Sequence, residues 1–275
     1  MTLSERNTFF KIGIAFSAVC ALAVLGVSYW TISIYSEMDK SIRRPSGFFH
    51  FLTGFMDNNY LAVHVSLSVL VLFSLVGIIL IHFYFERTSA PEILYIAIFA
   101  ISFSFEVIRL VLPLQIIFNF SSFYVLIASR LLLFARFLSI FSLFAAGLCA
   151  AGLEVQKTRN VIFVIILAAV IVIMGVPIDV LNWDSSFNMV NGYSSLFRII
   201  ELTAFLTTMI SFVIAAKIRD TKEYHYVAIG ILLALAGRHI LLTADTWVGP
   251  ILGILLLSAG TWFLCSKLHK IHLWL

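Results

Sequence analysis

Two short stretches place a carboxylate and a guanidinium inside apolar segments of this chain. The stretch Phe-Glu-Val-Ile-Arg-Leu holds Glu106 and Arg109, and Phe-Arg-Ile-Ile-Glu-Leu holds Arg198 and Glu201. Residues three apart share one face of a helix, so each pair can form an ion pair or jointly face a third charged group. Charges within a membrane span are costly, and they mark either a functional site or a paired interior.

The other charges inside apolar segments complete a candidate binding site. Every buried base is an arginine, and the planar guanidinium suits carboxylate or phosphate groups. With a histidine included, five arginines against four carboxylates can leave a net positive charge. We therefore predict an anion-binding site in which Arg109, Arg130, Arg198 and Arg238 bind, while Glu106, Asp179, Glu201 and Asp245 orient them or respond to protons. The full predicted ligand-binding set is Glu106, Arg109, Arg130, Arg136, Asp179, Arg198, Glu201, Arg238, His239 and Asp245.

Composition places these charges in a membrane protein. Of the 275 residues, 61% are hydrophobic and only 12% are charged, with a mean hydropathy of +1.06. A soluble domain carries about twice that charged fraction. The pattern predicts an all-α polytopic fold with eight spans, each near the ~20 residues that a hydrocarbon core requires. The predicted spans 1 to 8 are 9–35, 61–85, 93–118, 122–152, 161–182, 195–216, 226–246 and 249–267.

The basic residues between spans predict the orientation. One side carries ten of them, whereas the other side carries only Lys40, Arg43 and Arg44. The positive-inside rule puts the richer side and both termini in the cytoplasm, and it explains the basic pI without nucleic acid. We expect the bacterial cytoplasmic membrane. The outer loop 36–60 contains an aromatic run at 46–56, which is predicted to lie in the interface or to cover the bundle as a lid.

The position of each charge along its span places it between the middle of the membrane and the outer face, on spans 3 to 7. This predicts a core bundle of helices 3–7 around a polar site that opens outward. In both opening stretches the Glu lies deeper than the Arg, whereas an inverted repeat would exchange those depths.

Several alternatives remain open from sequence. The ion pairs can be purely structural, in a non-catalytic subunit of a larger membrane complex. A two-haem cytochrome is conceivable because His64 and His82 in span 2 could face His239 and His225 in span 7, although the spacings differ. A lipid-modifying enzyme could use Glu201, His239 or Asp245 as a base. No nucleophile motif is present, so no catalytic residue and no other cofactor is predicted. The expected partners are the lipid bilayer, an anionic small molecule or lipid, and other membrane subunits.

Overall fold

The computed structural model describes residues 3–39, 59–86, 90–152, 158–192 and 194–273, and it shows a bundle of long apolar helices. Within these residues, seven helices are long and apolar enough to cross a membrane, and an eighth, shorter one occupies the place of span 5. The predicted all-α polytopic membrane fold is confirmed. The helices are Leu3–Asp39, Tyr60–Phe85, Pro91–Ser102 continued by Val111–Phe118, Ser122–Ala150, Thr158–Met174, Ser194–Ile218, Glu223–Thr243 and Val248–Leu273.

Span 3 changes its helical type where the first charged pair lies. Residues Phe103–Leu110 form a 3-10 helix between two α-helical segments. Pro113 follows shortly after, and it cannot donate a hydrogen bond to the carbonyl of Arg109 four residues earlier. In a 3-10 helix the side chains at positions i and i+3 eclipse one another. Glu106 and Arg109 are therefore stacked on one side of span 3.

Span 5 differs from its prediction. The predicted helix 161–182 ends at Met174, and the chain continues as strand β1, Ile178–Trp183, and strand β2, Met189–Asn191. Gly175 and Pro177 stop the helix, and the β-branched residues that follow favour an extended conformation. The two strands pair antiparallel and form a hairpin on the predicted outer side.

The bundle is centred on spans 3, 4 and 7, which have the largest buried shares. Span 3 is 72% buried, whereas span 6 is only 28% buried. The helix of span 5 packs mainly against span 4, at the edge of the bundle. The centre is thus narrower than the predicted core of helices 3–7, because span 5 ends early and span 6 presents most of its surface outward.

Small residues hold spans 7 and 8 in close contact. A Cβ atom at Gly230 would lie 2.9 Å from the carbonyl oxygen of Gly260, and one at Gly237 would overlap the backbone nitrogen of Leu257. Such small residues allow helix backbones to approach closely in membranes. Spans 7 and 8 therefore pack as a tight pair.

Serine hydroxyls connect spans 1, 2 and 3. Ser74 lies 2.8 Å from Ser104 and 3.3 Å from Ser17, and Ser104 donates to Ser17 at 2.9 Å. All three are buried. Each hydroxyl thus finds its partner on another span.

Part of the predicted outer loop lies outside the described residues. The structure describes the chain up to Asp39 and again from Asn59, so the predicted lid at 46–56 lies outside the described residues. Asn59 caps the helix of span 2, and its backbone N–H donates to the carbonyl of Asp245 at 2.7 Å. The start of span 2 is thereby tied to the end of span 7.

Candidate functional site: a guanidinium cluster beneath a hairpin

The centre of the site is a two-pronged ion pair between spans 3 and 4. Arg136 donates to Glu106 through Nε at 2.8 Å and through Nη2 at 2.7 Å. The carboxylate is almost completely buried. A bidentate guanidinium–carboxylate pair is among the strongest polar contacts in proteins, and it fixes the relative orientation of its two helices. Glu106 is thus already satisfied by Arg136.

Arg109 is the most deeply buried base of the site, and its guanidinium is only partly satisfied. Its residue exposure is 2%. Nη1 lies 3.7 Å from Glu106, and Nη2 donates to the backbone carbonyl of Ser186. Nε and Nη1 have no hydrogen-bond acceptor within the described parts of the chain. A buried charged donor without an acceptor is costly, so Arg109 is the group best placed to receive an additional anion.

A second ion pair joins spans 6 and 7. Arg238 donates to Glu201 at 2.9 Å and to the backbone carbonyl of Arg136 at 3.2 Å. Arg238 is buried, whereas Glu201 is partly exposed. Through the carbonyl of Arg136 this pair continues the network into span 4. The structure therefore brings Glu106, Arg109, Arg136, Glu201 and Arg238 into one cluster.

The hairpin tip closes this cluster from the predicted outer side. Asp184 accepts hydrogen bonds from the backbone N–H groups of Ser186 at 3.0 Å and Asn188 at 2.8 Å, which shapes the tip as an Asx turn. Asn188 then accepts from Arg136 at 2.7 Å and donates to the carbonyl of Leu242 at 3.3 Å. The tip thus reaches Arg136, which lies near the middle of span 4.

Phe187 anchors the same tip in apolar surroundings. Its backbone adopts the left-handed conformation, with a φ of 59°. The ring centroid lies 5.3 Å from Tyr60 and 5.5 Å from His64. Phe187 also packs against two apolar clusters, one on spans 1, 2 and 3 and the other on spans 3 and 4. The hairpin therefore fills the outer mouth of the bundle as a plug.

A small cavity remains under the plug. It has a volume of about 20 Å³ and is lined by Arg109, Ser129, Arg136 and Asn188 together with apolar side chains. A space of this size holds about one water molecule or one small ion. Larger anions require the hairpin to move.

Counted over the described residues, the cluster has one more guanidinium than carboxylates. Three guanidiniums, those of Arg109, Arg136 and Arg238, face two glutamates. Asp184 in the hairpin tip acts electrostatically on both Arg109 and Arg136. The exposed carboxylate of Asp184 can therefore offset only part of the remaining positive charge.

Several predicted site residues do not join the cluster. Arg130 donates to the sulfur of Met174 at 3.6 Å, and Arg198 and His239 are exposed at the bundle surface. Asp179 lies on strand β1, and its side chain is outside the described part of the structure. Asp245 accepts from Ser185 of the hairpin tip at 2.8 Å. The two charges of the stretch Phe-Arg-Ile-Ile-Glu-Leu are therefore separated, because Glu201 pairs with Arg238 of span 7 and Arg198 is exposed.

The histidines considered as haem ligands lie in different surroundings. His64 is buried, with Nδ1 3.0 Å from the hydroxyl of Ser28, while His225 and His239 are exposed. His82 contacts Phe10 with 6.2 Å between ring centroids. No group of three or more potential metal-ligating side chains occurs among the described residues. The haem hypothesis stays a prediction.

The hairpin residues Asp184, Ser186, Phe187 and Asn188 are missing from the sequence-based site. Their segment lies between the predicted spans 5 and 6, on the side predicted to be outer, and it is rich in Asn, Asp and Ser. The same turn-forming residues, set between β-branched segments, were the available signal for a hairpin. Sequence alone gives no reason for that hairpin to enter the bundle.

Comparison with known proteins adds one distant similarity. No protein family matches the sequence, and no solved structure matches it. The chain is 20% identical over 239 residues to an uncharacterized protein of Treponema pallidum (strain Nichols), and the match covers 69% of each chain. This similarity assigns no activity to the present protein. The long apolar helices identify it as an integral membrane protein.

Proposed function

We propose that this protein is a membrane-embedded binding protein whose outer site receives an anionic group at Arg109. The observation that carries the proposal is a guanidinium buried to 2% exposure that leaves Nε and Nη1 without acceptors, next to a small polar cavity. An anion there would complete the hydrogen bonds of Arg109 and offset the remaining positive charge. In the absence of a ligand, the hairpin occupies the site as a plug.

A receptor or sensor fits this arrangement better than a transporter. On the predicted inner side of the site, the residues of span 3 are apolar and closely packed, and they include Phe99, Ala100 and Phe103. Movement of the hairpin changes the contacts of spans 3, 4 and 7 together, which is a means of passing ligand occupancy across the membrane. We place the protein in a bacterial cytoplasmic membrane, in keeping with the bacterial source of its distant relative.

The test compares two arginines that the sequence treats alike and the structure separates. Thermal unfolding of the purified protein is measured with chloride, acetate or inorganic phosphate at equal ionic strength. We expect at least one anion to raise the Tm of the wild type and of Arg198→Gln, whose side chain is exposed, but not of Arg109→Gln. If no anion has a specific effect, or if Arg109→Gln responds like the wild type, the proposal is wrong.

A second candidate is a non-catalytic subunit of a larger complex, with structural ion pairs. The bidentate contact of Glu106 with Arg136 favours it, because these two groups satisfy one another without a ligand. In that case the protein extracted in mild detergent migrates as part of a heteromeric complex. Arg109→Gln would then lower the Tm without altering any anion response.

A further inference from the structure

The tip of the hairpin presents two chemically different groups to the bundle, on neighbouring residues. The backbone carbonyl of Ser186 accepts from Nη2 of Arg109, and the side chain of the next residue, Phe187, packs in apolar surroundings. Ser186 is buried and Phe187 is half-buried, whereas Asp184 and Ser185 of the same tip are exposed. The bundle therefore encloses both the carbonyl and the ring.

The space that the ring of Phe187 fills is a pocket with aromatic walls. Its centroid lies 5.3 Å from that of Tyr60 and 5.5 Å from that of His64, and it meets both rings edge to face. Aromatic pairs prefer this arrangement. Phe187 also packs against the apolar cluster that contains Val63 and Leu110. We call this space the ring pocket.

The wall of the ring pocket holds a polar atom without a partner. His64 is 1% exposed, and its Nδ1 lies 3.0 Å from the hydroxyl of Ser28. Its Nε2 is buried and has no hydrogen-bond partner within the described parts of the chain. The same holds for Nε and Nη1 of Arg109, with which His64 interacts electrostatically. Buried polar atoms are normally hydrogen-bonded, so these atoms mark the surroundings of the tip as a place for a further group.

The covalent structure of the tip sets the spacing between its two enclosed groups. The carbonyl carbon of Ser186 is joined to the ring of Phe187 through the backbone nitrogen, Cα and Cβ of Phe187. In 4-phenylbutanoate, a carboxylate carbon is joined to a phenyl ring through a chain of equal length. Its carboxylate can therefore take the place of the carbonyl at Arg109 while its ring takes the place of Phe187.

Charge and size favour a carboxylate over a larger or doubly charged anion. The cluster has one more guanidinium than carboxylates among the described residues, so one negative charge completes the balance. The cavity next to Arg109 measures only about 20 Å³. A planar carboxylate adds one oxygen to the position of a carbonyl, and it can accept from two nitrogens of one guanidinium. A dianionic phosphate would exceed the surplus charge and bring further oxygens.

We propose that the anion received at Arg109 is the carboxylate of an aromatic acid, whose ring lies in the ring pocket in place of Phe187. This inference rests on the proposed function and specifies its ligand. The hairpin tip and the acid compete for the same two positions, so binding of the acid releases the plug from spans 2 and 3. An internal competitor lowers the apparent affinity of a ligand, and a weakened competitor raises it.

The test uses compounds that differ from 4-phenylbutanoate in one part at a time. Thermal unfolding of the whole chain in detergent is followed against increasing concentrations of each compound, at constant pH and ionic strength. Acetate lacks the ring, 4-phenylbutan-1-ol lacks the charge, and 5-phenylpentanoate has one additional methylene. The variants are Arg109→Gln and Phe187→Ala, which removes the ring of the tip. Phe163→Ala is the matched control, because its ring is 65% exposed on span 5.

We expect 4-phenylbutanoate to raise the Tm of the wild type and of Phe163→Ala at a roughly tenfold lower concentration than acetate, because it buries a ring as well as a charge. Phe187→Ala should respond at a still lower concentration, since the tip no longer fills the ring pocket, and Arg109→Gln should not respond. The alcohol should have no comparable effect. The longer acid should act more weakly than 4-phenylbutanoate, whereas partition into detergent would follow the reverse order.

Failure of this inference differs from failure of the anion site. If a simple anion stabilises the protein through Arg109 and 4-phenylbutanoate is no more effective, the aromatic ligand is wrong and the anion site stands. If the alcohol or the longer acid acts as strongly as 4-phenylbutanoate, the effect is apolar partition and the inference is overturned, a comparison that holds even if Arg109→Gln does not fold. If no anion, simple or aromatic, raises the Tm, both proposals are wrong.

Discussion

The outer and inner halves of this bundle hold their helices together by different kinds of contact. On the predicted outer side, helices are held by guanidinium–carboxylate pairs, and a hairpin folds in to complete them. On the inner side, apolar packing dominates. Polar groups without water must be satisfied within the protein, so the outer half is specific in its geometry. The inner half needs mainly apolar contact.

Ion pairs within the inner half show the same contrast on a smaller scale. Arg219 lies 3.6 Å from Glu92 and donates to the carbonyl of Cys149 at 3.2 Å. Glu223 pairs with two lysines at the end of span 8. The pairs of Glu223 lie near helix ends and are partly exposed, so water and head-groups can replace a lost partner there, whereas Glu92 is buried although it lies in the first turn of its helix. The outer pairs lie deeper and lack that replacement.

The largest expected effect comes from Glu106→Gln. This change leaves Arg109 and Arg136 without their shared carboxylate, and an uncompensated buried charge costs about 3–5 kcal/mol. We expect a large fall in Tm in detergent. The matched control is Glu223→Gln, whose partly exposed pairs contribute about 0–1 kcal/mol. If both variants lose the same stability, the distinction between the two halves is wrong.

The close contact between spans 7 and 8 is tested by Gly237→Ala. Its new methyl group meets the backbone of Leu257, and such overpacking destabilises by roughly 1–3 kcal/mol. Gly26→Ala is the control, because no atom lies within 4 Å of its added Cβ. Denaturant unfolding of both proteins gives the comparison, and a neutral Gly237→Ala would mean that the two helices separate easily.

The hairpin contact is tested by Asn188→Ala. Loss of a hydrogen bond to a charged group is expected to destabilise by about 1.5–3 kcal/mol, and the freed Arg136 and Arg109 should bind anions more strongly. The measurement is the anion-dependent rise in Tm, which should increase relative to the wild type. Asn160→Ala, on an exposed helical position, should leave both baseline and response unchanged. An unaltered anion-dependent rise in Tm in Asn188→Ala would contradict the role of the hairpin as a plug.

The smallest expected effect is that of Ser104→Ala. It breaks two contacts of the serine cluster but leaves Ser17 and Ser74 within 3.3 Å of each other. Interhelical hydrogen bonds in membranes contribute about 0.6 kcal/mol on average. Unfolding measurements should show a change of that order, against none for Ser258→Ala, whose hydroxyl bonds within its own helix. A loss as large as that of Glu106→Gln would show that serine contacts also organise the bundle.

The sequence by itself determined the class of this protein. Apolar segments of about twenty residues require helices that cross a membrane, and the charges at 106, 109, 136, 201 and 238 had to be paired or functional because hydrocarbon does not solvate them. Only the structure shows that span 3 contains a 3-10 segment and that the helix of span 5 ends at Met174.

Tertiary structure decided which charges meet. Arg136 and Arg109 both approach Glu106, Arg238 takes Glu201, and Arg198 faces outward, because the rotation of each helix depends on its neighbours and not on its own sequence. The entry of Phe187 and Asn188 into the bundle was decided in the same way, by the space between spans 2, 3 and 4. The close contact of spans 7 and 8 is likewise a property of the packed helices, because the backbone of one helix meets the glycines of the other.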